Sequence, residues 1–269
     1  MNQLNVKPLM NAPLTRNDWV AASHFHDLTE AEVLREVSRR VAQKQAAHPL
    51  VLFDLDSTLY EVGPRTHQVL QEWLDSSESK PFIALREAAR KLQEKHIGYS
   101  IRDTLRAIGL NPELPELQSA IKVIRDFWRA RFFSNAYLKY DRPYPGAVEF
   151  AREVYESGAE LVYLTGRDEP NMGDGTRDNL IRDGFPWNEP RTHLLMKPQY
   201  GMSDIQHKTD AEEYIRKHGS LIASFENEPL NLVALSKIFP DAMHVFVDTV
   251  ASDHPALPAQ GLYRIRGFN

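Results

Sequence analysis

Leu50-Val51-Leu52-Phe53-Asp54-Leu55-Asp56-Ser57-Thr58 is the stretch that decides the fold. Four apolar residues in a row suit a central strand buried on both faces. Asp54 follows directly, at the C-terminal end where open parallel α/β sheets bind their ligands. Carboxylates two residues apart would point to opposite faces if the strand continued. They converge only if the strand stops and the chain turns, which Ser57-Thr58 and Gly63-Pro64 permit. One carboxylate can then attack phosphorus while the other handles a proton, splitting a phosphoryl transfer into two steps. Asp-x-Asp is also common in turns and helix caps, so the pair alone leaves both readings open.

Outward from this run, similar strands recur. Leu161–Leu164 ends at Thr165-Gly166-Arg167, His193–Met196 precedes Lys197, Leu221–Phe225 ends at Glu226, and His244–Val247 ends at Asp248. Helical patterns separate most of them. Thr29 and Glu32 form a capping-box pair before the apolar face of Val33, Val37 and Val41. A helix is predicted from Pro145 to Gly158, another from Thr209 to His218 with Thr209 and Glu212 as its capping box, and another from Pro229 to Phe239. The alternation predicts an α/β fold, a three-layer Rossmann-like parallel sheet core. About a hundred residues separate the first two strands, far more than a crossover needs. Residues 64–141 read as an inserted all-helical cap, with helices over Thr66–Asp75, Pro81–His96, Ser100–Ile108 and Pro115–Leu138. Residues 28–63 and 142–269 then form the core, and residues 1–27, with Pro8 and Pro13, an irregular and loosely packed arm.

Composition narrows the function classes. The 269 residues are 42% hydrophobic and 26% charged, ordinary for a globular chain. The absence of cysteine excludes disulfides, zinc-thiolate centres and thiol nucleophiles, and fits a cytoplasmic location. A net charge of −5 argues against a nucleic-acid partner. Met1–Val20 lacks the charged start and apolar run of a signal peptide, and no apolar stretch of about eighteen residues predicts a membrane span. No motif speaks to oligomeric state.

The Asp54-Leu55-Asp56-Ser57-Thr58 run resembles the first motif of the haloacid-dehalogenase-like superfamily. Three later stations resemble that family in order: Thr165, Lys208 and the acidic Glu226-Asn227-Glu228. The resemblance covers nearly the whole chain from about residue 48. It implies a magnesium-dependent phosphatase acting on a small phosphorylated metabolite or nucleotide through a phospho-aspartate. Asp54 would be nucleophile and metal ligand. Asp56 would be general acid, then base, and would bind the metal through its backbone carbonyl. Thr165, Gly166, Arg167 and Lys208 would meet the substrate. Lys197 competes with Lys208 for the lysine role; Lys208 is preferred because it abuts a capped helix start and lies at a more typical distance before the acidic motif. Most relatives have Asp where this chain has Asn227. The run is similar to the Asp-Asn-Ser-Pro of small phosphatases acting on RNA polymerase tails, so Asn227 is expected to ligate the metal and Glu226 to stand in its outer sphere.

Other features read two ways. Arg167 could hold a substrate anion or pair with Asp168 or Glu169 at the surface. Gly173-Asp174-Gly175-Thr176 reads as a flexible loop. Arg125, Arg129 and Arg131 beside Trp128, Phe132 and Phe133 could face a nucleotide or form a solvated arginine face. A phosphotransferase or mutase, a nucleic-acid end phosphatase and a non-catalytic binding module are the alternative functions on the same fold.

Overall fold

The computed structural model describes residues 12–43 and 48–269. Helices α1 (Arg16–Ala22) and α2 (Glu30–Ala42) precede strand β1 (Pro49–Phe53) and the short β2 (Tyr60–Glu61). A run of helices follows: α3 (Gly63–Asp75), α4 (Ile83–Ala89), α5 (Ile101–Ala107), α6 (Gln118–Phe132) and α7 (Asn135–Leu138). The chain returns through β3 (Arg142–Pro143), α8 (Ala147–Glu156), β4 (Glu160–Asp168), α9 (Glu169–Asp183) and β5 (Thr192–Lys197). It closes with α10 (Asp204–Asp210), α11 (Glu212–His218), β6 (Ser220–Glu226), α12 (Pro229–Ile238), β7 (Met243–Val247) and β8 (Tyr263–Ile265).

The main sheet has strand order β5-β4-β1-β6-β7-β8, and every pairing is parallel. β1 lies inside it, as its unbroken apolar run requires. Its side chains alternate between two cores. Val51 and Phe53 pack in one cluster with Val37 of α2 and Phe150 of α8. Leu50 and Leu52 pack in the other with Ile215 of α11 and Leu235 of α12. Helices thus cover both faces, the three-layer α/β arrangement expected. No helix among the described residues is long and apolar enough to cross a membrane.

The helices between β2 and β3 have a core of their own, built on Val69, Trp73, Leu85, Ile121, Ile124 and Phe127. Trp73 is wholly buried there, a contribution of about 2–3 kcal/mol. The chain's way into and out of this insert is zipped together, since β2 and β3 pair antiparallel, Tyr60 opposite Pro143 and Glu61 opposite Arg142.

Several elements depart from the sequence reading. The arm is not loose where it is described: α1 buries Trp19 completely against Phe246, with ring centroids 5.1 Å apart. Its first eleven residues lie outside the described residues. The predicted Pro81–His96 helix is cut after α4, because Lys91 and Leu92 donate to Ala88 and Ala89 in tighter i→i+3 turns. The predicted Pro115–Leu138 helix begins as a 3₁₀ turn and breaks after Phe132, whose carbonyl accepts from Arg65 at 3.1 Å. The Pro145 helix begins at Ala147, because Gly146 has φ 79° and cannot continue a right-handed turn. Gly173–Thr176 is no loop but the middle of α9. There Gly175 lets α7 approach: a Cβ would sit 2.7 Å from the Asn135 carbonyl oxygen, and the Gly175 N–H donates to Asn135 Oδ1 at 2.8 Å.

Candidate active site

The turn after β1 is held in an unusual conformation. Ser57 has φ 61°, a left-handed value that a residue with a Cβ seldom adopts. Leu55 O accepts from the N–H groups of Thr58, Leu59 and Tyr60 at 3.1, 2.9 and 2.9 Å, and the Ser57 N–H donates to Tyr60 O at 2.8 Å. The Thr249 hydroxyl donates to the Ser57 carbonyl from the loop after β7. Reversing the chain so tightly lets Asp54 and Asp56 line one cavity of about 270 Å³ at the C-terminal edge of the sheet. Thr165, Gly166, Arg167, Lys208, Glu226 and Asn227 line it as well. All eight residues singled out in the sequence therefore meet in one place.

Asp54 is buried, and its Oδ1 accepts from Lys208 Nζ at 2.7 Å. Lys208 also donates to the wholly buried Glu226. Burial pushes Asp54 up to about 7; the Lys208 charge opposes this and Glu226 reinforces it. Glu226 is raised too, chiefly by burial. Burial works against the Lys208 charge, but the two carboxylates more than offset it and hold the amine above its usual range. Lys208 reaches this position from inside α10, not from just before a helix. Ser203 caps that helix by accepting from Gln206 N–H, while the Thr209 hydroxyl donates back to Ile205 O and Gln206 O. The expected Thr209–Glu212 capping box is absent for that reason. Lys197, the competing lysine, pairs instead with Asp204 at 2.8 Å.

Asp56 is balanced differently. Its Oδ1 accepts from Arg167 Nε at 2.8 Å, from Arg167 Nη2, and from Arg65 Nη2 at 3.2 Å. Both arginines also hold the buried Asp141: Arg65 at 2.7 and 2.8 Å, Arg167 at 2.8 Å. Burial would raise Asp56, but the charges of Arg167 and then Arg65 outweigh it and keep its carboxyl below the usual range. Burial raises Asp141 against the same two arginines. Arg167 is thus neither a surface partner of Asp168 or Glu169 nor free for a substrate anion; it is buried against Asp56 and Asp141, with Thr176 as a further acceptor at 3.3 Å. Arg65 and Asp141 were missed in the sequence. Arg65 left one signal: it stands four and eight residues before Val69 and Trp73, a charge on the buried stripe of α3.

The remaining residues complete the edge. Thr165 Oγ1 accepts from the Arg167 N–H at 3.2 Å, which leaves its own proton to donate elsewhere. At Gly166 a Cβ would fall 2.8 Å from Asp204 Oδ2, so a side chain there would push the Asp204 carboxylate aside. Asn227 Nδ2 donates to Val250 O at 2.7 Å, which leaves Oδ1 beside the Thr58 hydroxyl at 3.2 Å. Asp54, Asp56 and Asn227 thus offer the cavity oxygen donors, the type a hard divalent cation such as magnesium takes.

Comparisons with known proteins find partial likenesses. Residues 124–226 match the model of the HAD superfamily, subfamily IIIB (acid phosphatase). A Bacillus cereus protein described as "Putative nucleotidase" is 26% identical over 103 residues, which are 38% of this chain and 53% of that protein. The chain therefore spans about half the length of that curated relative. Among solved structures, a "Putative Phosphatase" from Clostridium difficile is 16% identical, with TM-score 0.48, over 80% of this chain and 95% of its own. A haloacid dehalogenase-like family hydrolase from Streptococcus pneumoniae is 12% identical, with TM-score 0.44, over 79% and 94%. The family match runs across β4 to β6, which carry Thr165 and Glu226 and are joined through the helix that holds Lys208, so over that stretch the chain is similar to the HAD superfamily.

Proposed function

We propose that the chain hydrolyses small phosphomonoesters, with Asp54 as the nucleophile and magnesium as its cofactor. The observation that carries this reading is the division of labour at Asp54. Lys208 holds Oδ1, so Oδ2 is the oxygen left to attack phosphorus. The P–O bond to the alcohol breaks as the Asp54–phosphorus bond forms. Water then attacks the phospho-aspartate and releases inorganic phosphate.

Asp56 carries the proton traffic. The guanidinium contacts all fall on Oδ1, so Oδ2 is the oxygen for exchange with the leaving group and then with water. The two arginines favour its ionised form, which suits the second half, where it accepts a proton. Thr165 donates its hydroxyl proton to a phosphoryl oxygen, and Lys208 offsets the charge that grows on the equatorial oxygens. Asp54, the Asp56 main-chain carbonyl and Asn227 would hold the magnesium, with Glu226 outside its first sphere. When bound, the ion supplies positive charge that lets a carboxylate and a phosphate approach.

The helical insert acts as a cap and sets the size of the substrate. Ile97, Tyr99, Trp128 and Phe133 wall the cavity, and its volume of about 270 Å³ suits a small ester rather than a nucleic-acid strand. The nucleotidase description of the Bacillus cereus relative brings nucleoside monophosphates into the same class.

The test is release of p-nitrophenol from its phosphate ester, with magnesium and with chelator, beside Asp54→Asn. Magnesium-dependent release that disappears in the variant is expected. Turnover that survives Asp54→Asn would overturn the mechanism.

A further inference from the structure

The cavity lining outside the reacting groups has a one-sided chemistry. Tyr99, Trp128, Phe133 and Tyr144 give it an aromatic wall. Four acids share that lining: Glu61, Glu94, Asp204 and Glu228, the last accepting from the N–H and hydroxyl of Ser252. Glu94 pairs with Arg142 and Asp204 with Lys197, while Glu61 has no salt-bridge partner among the described residues. Arg167 and Lys208 are the only cations lining the cavity among the described residues, and each is held between two carboxylates. A second anion on the substrate would leave water here and find no free partner.

We propose, building on the phosphomonoesterase reading, that this wall selects substrates by the charge of their alcohol. The leaving group is a ring-bearing or compact alcohol that is uncharged or cationic, and esters carrying a second phosphate or a carboxylate are rejected. Three effects act in one direction. A buried anion without a partner keeps its full desolvation penalty. Like charge across a contact works against binding. A cation over an aromatic face is attracted by the ring. Glu61 is the specificity residue: it stands in β2, where the chain passes into the insert, and its carboxylate meets the distal end of the alcohol. The chemistry at phosphorus is unchanged, since ester and water give alcohol and inorganic phosphate whatever the alcohol carries.

Three phenyl phosphates of one shape test this: the 4-aminomethyl, 4-hydroxymethyl and 4-carboxymethyl esters, in magnesium chloride. The aminomethyl and hydroxymethyl esters are expected to show kcat/KM at least about tenfold above the carboxymethyl ester. In Glu61→Gln the ratio of aminomethyl to carboxymethyl ester should fall by about threefold or more. Equilibrium binding of the same esters to Asp54→Asn, read by calorimetry, should follow the same order. Equal kcat/KM for all three with normal hydrolysis overturns the charge selection and leaves the phosphatase reading standing. Ordered binding without turnover by the native protein keeps the selection and removes the hydrolase. A ratio unmoved in Glu61→Gln overturns the role of Glu61, and an absence of binding by any ester overturns the inference.

Discussion

Asp54 and Asp56 stand two residues apart, yet the charges around them are balanced differently. Around Asp54 one lysine serves two carboxylates, its own and Glu226. Around Asp56 two arginines serve two carboxylates, its own and Asp141. The first cluster has a surplus negative charge and so has use for a further cation. The second is neutral and closed by hydrogen bonds on nearly every donor. The contrast separates a cluster with an unmatched carboxylate from one in which two carboxylates are already matched by two guanidiniums.

The largest expected effect comes from Lys208→Met. It leaves Asp54 and Glu226 buried without a cation, and urea unfolding should show a loss of about 4 kcal/mol. Hydrolysis should fall at least about a hundredfold if, as proposed, the same amine offsets charge on the phosphoryl group. A variant as stable as the native chain would show that Lys208 is not what keeps the two acids together.

Asp141→Asn attacks the other cluster and should cost about 3 kcal/mol, because it turns a balanced tetrad into one carboxylate facing two guanidiniums. Activity should fall as well, through a misplaced Asp56. If stability drops while kcat/KM holds, the brace does not position the second carboxylate.

The two clusters were unequally legible in the sequence. Asp54, Lys208 and Glu226 each stand at a strand end or in a helix near the sheet edge, and Thr165 follows the last regular pair of β4 with β5, so local patterns and their order locate them. Asp141 follows the irregular exit from the insert, 76 residues from Arg65 and 26 from Arg167. No periodicity reports a contact of that range. Arg167 was visible but its partner was not, which is why a surface pair looked as good as an anion site. The fold was readable where burial is symmetric, as in Leu50–Phe53, and unreadable where strands are short. β8 has three residues, too few for a pattern, and Trp19 is buried by partners more than two hundred residues away in sequence.

Magnesium should discriminate between the clusters with a smaller effect. Saturation at a hundredfold over its Kd raises stability by about 2.7 kcal/mol if it binds only the folded chain. That gain, read as a shift of the thermal midpoint, is expected in the native protein and in Asp54→Asn to a lesser degree. It should nearly vanish in Asn227→Ala. An equal shift in Asn227→Ala would place the ion elsewhere and remove the reason for the surplus charge at Asp54.

The smallest effect is expected from Arg65→Lys, which asks whether charge alone explains the brace. The guanidinium of Arg65 donates from Nε and Nη2 to Asp141, from Nη2 to Asp56 and from Nη1 to Phe132 O, and lies 4.0 Å from the centre of the Phe132 ring. A lysine keeps the charge but cannot span both carboxylates and the carbonyl at once. The charge count is unchanged, so only the lost hydrogen bonds should register, about 1–2 kcal/mol in urea unfolding. Catalysis should stay within a few fold, because Arg167 still holds Asp56 Oδ1. A cost as large as that of Asp141→Asn would mean that fork geometry, rather than balanced charge, keeps Asp56 in place. The difference between the two clusters would then be one of shape as much as of charge.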